Sequence, residues 1–393
     1  VPREGRARGR ATGRPGADTM VSVLCTAFTS SFFPQGLPQL RKDLPPPALD
    51  VVVVGAGAAG VGTALMLTTM FGLDTSRVLL VERGEEVGET FRRWPDEMRF
   101  ISPSFNQQGW TSSFDLNSVA YGTSPAYSLH AEHPSGDQYA DYLNALVSDA
   151  KLCVRTQTEV VSVQAEGVKG GPPRFSVGVS PASSPSEPGS RRTGPADATE
   201  TLTTRYVVWA AGEFQYPATE SASAVEGAEL CMHNSMVRSW ANLPGDDFVL
   251  IGGSESGSDA AINLAKAGKR ATVLASTASW DACTPDPSTE LAPYTAARLR
   301  EVTAAGFSPR PKLLAPLRVL RVEKAPAGGF NVVATWKAAE TRPPPGPLRK
   351  PLAEHAEGGG AKDASAPAGA EGSELVVHTT QPPVLCAGFQ GSV

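Results

Sequence analysis

The sequence predicts an α/β fold made of two similar halves, each opening with a buried strand, a glycine turn and a helix. Three observations predict it. The run VVVVGAGAAGVGTALMLTTM (residues 51–70) passes from β-branched residues through three glycines into helix formers. The run FVLIGGSESGSDAAINLAKA (residues 248–267) repeats that order. Each half then reaches a strand that ends in a similar turn, WAAGEF at residues 209–214 and LCAGF at residues 385–389.

The first run carries no charge between Asp50 and Asp74, and about 20 apolar residues suffice to span a bilayer. Its internal order argues for something else. VVVV is the kind of stretch that forms a strand buried on both faces. Gly55, Gly57 and Gly60 follow, spaced G-x-G-x-x-G. In a strand–turn–helix context the first glycine allows the tight turn and the second lets backbone approach a pyrophosphate. The third allows helix to pack on strand. The helix N-terminus then offers N–H groups and partial positive charge to phosphates. The second strand, Val78–Val81, ends in Glu82, about 20 residues beyond the turn, where a carboxylate can accept hydrogen bonds from a ribose diol. Strand, turn, helix and acid in register define a Rossmann-like dinucleotide-binding unit and weigh against a transmembrane segment.

Further elements follow in order. An amphipathic helix is predicted from Gly136 to Ser148, with Tyr139, Tyr142, Leu143, Leu146 and Val147 on one face and Ser135 as N-cap. Short strands are predicted around Val160–Val163 and Phe175–Val179, then RYVVWAAGEF. The second half offers Phe248–Ile251, the turn GGSESG, a helix from Asp259 to Ala267, the strand Ala271–Leu274, and strands near Val319–Val322 and Phe330–Ala334. Residues 181–200 and 340–373 are rich in Pro, Gly, Ala and Ser without hydrophobic periodicity and read as disordered insertions. The expected organisation is a disordered leader or targeting segment (1–48), a discontinuous first dinucleotide-binding unit (49–245), and an inserted second one (246–393) that ends on the start of a return to the first.

Composition narrows the function classes. At 393 residues with net charge −5, the chain has room for two or three domains and no basic footprint for nucleic acid. Its five cysteines are scattered and never spaced C-x-x-C, which argues against a disulfide scaffold, a zinc site or a thioredoxin-type pair and points to a reducing intracellular compartment. Arginines stud residues 1–19, and the acid-free, Ser/Thr-rich run from Met20 fits either an organelle transit peptide or an unaddressed leader. Localisation is therefore cytoplasmic or organellar. His130, Glu132 and His133 lack further paired ligands, so no metal site is expected. No G-x-S-x-G elbow marks a serine hydrolase.

Two dinucleotide units in one chain imply two cofactors with their reactive rings together, most economically FAD and a nicotinamide. GAGAAG with Glu82, PSGDQY, VVWAAGEFQYP, IGGSESGSDAA and LCAGF resemble the FAD- and NAD(P)H-dependent pyridine nucleotide oxidoreductases, most of all the flavin-containing-monooxygenase-like flavoproteins. The resemblance covers roughly residues 49–393. It implies hydride transfer from NADPH or NADH to flavin, and monooxygenation or simple reduction of a small-molecule substrate. By it, Gly55, Gly57, Ala59 and Gly60 hold the FAD pyrophosphate, Glu82 the ribose, and Arg83 lies near the adenine. Phe91, Trp94 and Ser102 to Ser104 line the flavin, with ordinary core packing the alternative for the two aromatics. Val160 contacts the adenine edge, and Gly212 belongs to the closing turn. Gly252, Gly253, Ser254, Ser256 and Gly257 hold the nicotinamide cofactor's pyrophosphate.

The sequence also departs from that family. Ser254 stands where a glycine is expected at closest phosphate approach. The F-x-G-x-x-x-H segment of the monooxygenases appears as GAELCMHNS, keeping His233, which reads either as that residue or as a surface or linker histidine. After the strand Val273–Leu274 come Ala275, Ser276 and Thr277, with no acid for a ribose diol and no Arg for a 2′-phosphate, so NADPH is favoured only slightly over NADH. No later G-D segment follows LCAGF, which predicts a C-terminally truncated chain. The rivals are a reductase of a small disulfide or quinone, and a non-catalytic flavoprotein fragment. Oligomeric state is open, a homo-oligomer included.

Overall fold

A computed structural model describes residues 49–103, 115–166, 174–182, 198–213, 216–218, 225–281, 290–338 and 371–390. The leader and most of both predicted insertions lie outside these residues.

The first lobe runs β1 (Leu49–Val54), α1 (Ala58–Leu65), β2 (Val78–Val81), α2 (Glu89–Arg92), α3 (Pro125–Leu129), α4 (Gly136–Asp149), β3 (Cys153–Arg155), β4 (Thr158–Glu166), β5 (Arg174–Pro181) and β6 (Glu200–Trp209). Its six-stranded sheet has the order β3-β2-β1-β6-β5-β4. The first four strands are parallel, and β6, β5 and β4 continue as an antiparallel meander. β1 lies at the centre because its valines are buried on both faces, and burying each side chain is worth about 1.5–3 kcal/mol. Val51 and Val53 face a core formed with α1 and α4, whereas Val52 and Val54 face one formed with β5. The apolar run at residues 51–70 is thus strand, turn and helix in succession. Among the described residues, no helix is long and apolar enough to cross a membrane.

α4 takes nearly its predicted bounds, and Ser135 caps it reciprocally: its hydroxyl accepts from Gln138 N, while Gln138 Oε1 accepts from Ser135 N. α1 starts at Ala58, inside the glycine motif, because Gly57 occupies the N-cap. A π-helical turn at Met66–Met70 extends it.

The second lobe and its connections run β7 (Tyr216–Pro217), β8 (Met232–His233), β9 (Asp247–Ile251), α5 (Glu255–Lys266), β10 (Arg270–Leu274), α6 (Pro293–Thr303), β11 (Lys312–Leu314), β12 (Leu317–Lys324), β13 (Phe330–Trp336), β14 (Glu374–Thr379), β15 (Val384–Leu385) and β16 (Phe389–Gln390). A parallel five-stranded sheet has the order β11-β10-β9-β15-β8, beside an antiparallel β12-β13-β14 layer. α5 begins at Glu255, a turn earlier than predicted, since the glycine turn ends directly in helix.

Two strand pairs join segments on either side of residue 245/246. β8 precedes that point yet pairs with β15 in the second sheet. β16 pairs with β7, and Ala218 N donates to Gly388 O, so the chain after the LCAGF turn folds against the segment that follows β6. Glu97 fastens the connecting segment from the other side, accepting from Ser239 Oγ at 2.7 Å and from Trp240 N and Ala241 N at 3.0 Å. Burial pushes its carboxyl up, but the hydrogen bonds from Ala241, Ser239 and Trp240 outweigh that and leave it below the usual range.

Candidate dinucleotide sites at two glycine turns

The two glycine turns superpose residue by residue in their contacts. Gly55 N donates to Val81 O at 2.8 Å, and Gly252 N to Leu274 O at 2.9 Å. Gly55 and Gly252 hold φ of +101° and +111°, in the region that favours glycine. A Cβ on Gly55 would lie 2.4 Å from Ala210 O, and one on Gly252 would lie 2.6 Å from Cys386 O. A Cβ on Gly60 or Gly257 would lie 1.9 Å from the carbonyl oxygen of Gly55 or Gly252. Ala210 and Cys386 are therefore equivalent, as the WAAGEF and LCAGF alignment anticipates.

The second glycine position is different in kind. A Cβ on Gly57 would meet no protein atom within 4 Å. The N-terminus of α1 is thus open beside Gly57, leaving space in which its N–H groups can meet a phosphate. Gly57 and Ser254 are the N-caps of α1 and α5, with φ of −79° and −81°, and neither makes a side-chain capping bond. Ser254 is exposed, so its side chain stands at the place where Gly57 leaves room.

Glu82 distinguishes the first turn. Its carboxylate accepts from Ala56 N at 2.7 Å and from Gly84 N at 2.7 Å, pinning the β2 end to the glycine turn. Each oxygen keeps lone-pair capacity for a diol. The equivalent residue in the second turn is Ala275, because Glu82 N donates to Arg155 O and Ala275 N to Leu314 O across matching strands. A Cβ on Gly253 would lie 2.5 Å from Ala275 Cβ and 2.7 Å from Trp280. The second turn is thus held by close packing where the first is held by a carboxylate.

The other predicted residues fall as follows. Ala59 and Arg83 are exposed at the first turn. Val160 is half-buried on β4, two residues beyond Thr158, whose N donates to Glu82 O. Gly212 has φ +79° in the turn after β6. Phe91 and Trp94 form an aromatic cluster with Phe100 and Tyr139, at centroid distances of 4.5–5.7 Å, consistent with the packing alternative. Ser102 is exposed, and its carbonyl accepts from Asn117 Nδ2 at 3.0 Å. Ser104 lies outside the described residues. Ser256 is half-buried in the first turn of α5.

Three residues are assigned no role from sequence. Glu255, inside the second glycine motif, accepts from Ala292 N and from Thr295 Oγ1 (2.6 Å), capping α6. Tyr294 of α6 stacks on His133 of the first lobe at 3.7 Å. Lys337 Nζ donates to Ser276 O at 3.2 Å, placing a cation at the end of β10.

His233 is neither on the surface nor idle. It is 2% exposed, and Nε2 donates to Gly388 O at 2.9 Å while Nδ1 accepts from Ser235. It therefore ties β8 to the closing turn. Burial lowers its pKa, although the Gly388 bond opposes the shift. Burial likewise pushes the Cys231 and Cys386 thiols up to about 12. Among the described residues, no group of three or more His, Cys, Asp or Glu is placed to hold a metal.

Comparison with known proteins agrees with this architecture. The chain is similar to bacillithiol disulfide reductase Bdr from Staphylococcus aureus, with TM-score 0.57 and 17% identity, covering 88% of this chain and 78% of that one. It is also similar to the ornithine N-hydroxylase of Kutzneria sp. 744, with TM-score 0.55 and 15% identity, covering 88% and 81%. At these identities the likeness speaks to fold. An uncharacterized oxidoreductase, CzcO, of Bacillus velezensis is 24% identical over 230 residues, 58% of this chain and 54% of that protein, so the chain spans about half the length of this curated relative. The family model of the pyridine nucleotide-disulphide oxidoreductases matches residues 52–171 and 196–323, more than half of the chain. Both glycine turns lie within the matched residues, each after a strand that pairs in parallel with its neighbours, and the chain belongs to the pyridine nucleotide-disulphide oxidoreductase family.

Proposed function

We propose that the chain is an FAD- and NAD(P)H-dependent oxidoreductase acting on a small molecule. The observation that carries this reading is the pair of glycine turns with matched backbone and unmatched carboxylate. Gly55, Gly57 and Gly60 with the α1 N-terminus would bind the FAD pyrophosphate, and Glu82 would orient its ribose. Gly252, Gly253, Ser254, Ser256 and Gly257 with the α5 N-terminus would bind the nicotinamide cofactor. When bound, FAD supplies a ring that accepts hydride, and the nicotinamide supplies that hydride. The protein's part is to hold the two in register, which the β16–β7 pairing, the Glu97 anchor and the His133–Tyr294 stack between the lobes support.

Monooxygenation is the favoured reaction, with reduction of a small disulfide or quinone second. Cys386 lies against the second glycine turn, but its thiol, pushed up to about 12, is protonated at neutral pH and not a nucleophile. That disfavours disulfide chemistry through this cysteine. The free Cys153, Cys231 and Cys386 support a reducing intracellular setting. The test is NADPH oxidation by the FAD-loaded protein, with oxygen uptake, hydrogen peroxide and oxygenated product measured together. Product formed in step with NADPH supports monooxygenation. Peroxide alone, or turnover only with an added quinone or disulfide, transfers the case to the reductase. No NADPH oxidation under any condition would reject the enzyme reading.

A further inference from the structure

We infer that Tyr294 is a positioning residue for hydride transfer, fixing the spacing of the two lobes by stacking on His133; the inference rests on the first glycine turn being the flavin site and the second the nicotinamide site. The second glycine motif and the helix it opens carry two acids, Glu255 and Asp259, although a carboxylate beside a phosphate site repels its ligand. Both are turned onto α6. Glu255 accepts from Ala292 N and from Thr295 Oγ1 at the start of that helix, the latter at 2.6 Å. Asp259, 8% exposed, accepts from Arg298 Nη1 at 2.6 Å. Asn263 closes the set, accepting from Arg298 Nη2 at 2.9 Å and donating to Asp259 Oδ2 at 3.0 Å. A buried ion pair with further hydrogen bonds on both partners resists separation, since breaking it strands a charge. α6 is therefore bound to α5, the helix that starts at the second turn.

Tyr294 lies among these attachments, one helical turn before Arg298, whose guanidinium carbon is 5.0 Å from the centre of its ring. That ring reaches the first lobe and stacks on His133, with centroids 3.7 Å apart and planes 14° from parallel. His133 is itself anchored. Its Nδ1 donates to Phe100 O at 2.7 Å, and Phe100 N donates to Pro134 O at 3.0 Å, so the two segments clasp each other. Phe100 also packs on Phe91, Trp94 and Tyr139, within the stretch expected to line the flavin. Each side of the stack is thus fixed to one proposed cofactor site. Two flat rings meet at one spacing and bring few rotatable bonds, which suits a spacer. Misplacing reacting groups by about 1 Å costs on the order of 100-fold in rate, so a contact that sets this spacing acts on rate rather than on binding.

The test is anaerobic stopped-flow reduction of the FAD-loaded full chain over a range of NADPH concentrations. The unaltered protein is compared with Tyr294→Ala, Tyr294→Phe, His133→Ala and the double alanine variant. Tyr294→Ala should lower the limiting rate of flavin bleaching by about tenfold or more, while the NADPH concentration at half-maximal rate stays within about twofold. Tyr294→Phe keeps the ring and should restore the rate. The double variant should be no slower than the slower single one, because both remove the same contact. A readout without cofactor uses spin labels on exposed Cys153 and on Arg300→Cys of α6, with Cys25 and Cys283 changed to Ser. The distance between labels should be narrowly distributed in the unaltered protein and in Tyr294→Phe, and broad in Tyr294→Ala. An unchanged rate in Tyr294→Ala, a narrow distribution there, or a loss that Tyr294→Phe does not restore overturns this inference and leaves the proposed sites standing. A flavin that NADPH does not bleach in the unaltered protein overturns the nicotinamide reading, and this inference with it.

Discussion

The first and second glycine turns have nearly one backbone and two different ways of holding it. In the first, Glu82 bridges Ala56 N and Gly84 N. In the second, Ala275 and Trp280 pack against Gly253, and Glu255 turns away to cap α6. The comparison teaches that the close approach of helix to strand is geometric and common to both, whereas the polar residues around it are free to specialise.

The largest effects should come from the shared geometry. Gly60→Ala and Gly257→Ala each force a Cβ to 1.9 Å from a carbonyl oxygen, with only backbone to yield. Each should destabilise the protein by about 3 kcal/mol, read by denaturant unfolding. Gly60→Ala should abolish FAD retention, and Gly257→Ala should abolish nicotinamide binding first. Equal loss of both ligands in both variants would break the division of labour between the turns.

Glu82→Ala comes next. It leaves the buried Ala56 N–H without its acceptor, at a cost of about 1.5–3 kcal/mol, and FAD affinity should fall by about tenfold or more. Nicotinamide affinity should hold, because the equivalent position is already alanine. Ser254→Gly sharpens the comparison in the opposite direction by giving the second turn the form of the first. Since Ser254 makes no capping bond, stability should change by only about a few tenths of a kcal/mol. Nicotinamide binding should tighten, by up to about tenfold.

Smaller effects concern the buried His233 and the cysteines. His233 has a lowered pKa in the folded state, so the unfolded chain binds its proton more readily. Its contribution is complete above the unfolded value of about 6.5 and is lost as pH falls from there through the folded value. His233→Asn should flatten the acid side of the stability profile between those limits; an unchanged profile would contradict the buried neutral imidazole. Thiol labelling at neutral pH gives the mildest contrast: of the described cysteines, exposed Cys153 should react first, with Cys231 and Cys386 protected until unfolding.

Much of this frame is legible in the sequence because it is local. The valine run, the three glycines, Glu82 and the Ser135 cap all act within a few residues or within one strand–helix step. The repeated order of elements also reveals the equivalence of Ala210 and Cys386. The sequence does not reveal which distant segments meet. β8 and β15 are two-residue strands with no periodicity to read, so the burial of His233 within that pairing is invisible in the sequence. Phe91 and Trp94 occupy the predicted stretch, but the packing of Phe91 on Tyr139 depends on a helix more than forty residues on. Lys337 is the clearest case: a lysine after β13 looks like any surface charge until its N–H bond to Pro316 O holds it beside Ser276.

The central claim, that one chain holds a flavin at the first turn and a nicotinamide at the second, is tested most directly by its visible absorbance. The purified protein, loaded with FAD and freed of excess, would be recorded before and after NADPH is added without oxygen. The account predicts retained flavin bands that bleach, with Glu82→Ala losing the bands and Gly257→Ala keeping them unbleached. A chain that retains no flavin, or a flavin that NADPH leaves oxidised, would contradict it.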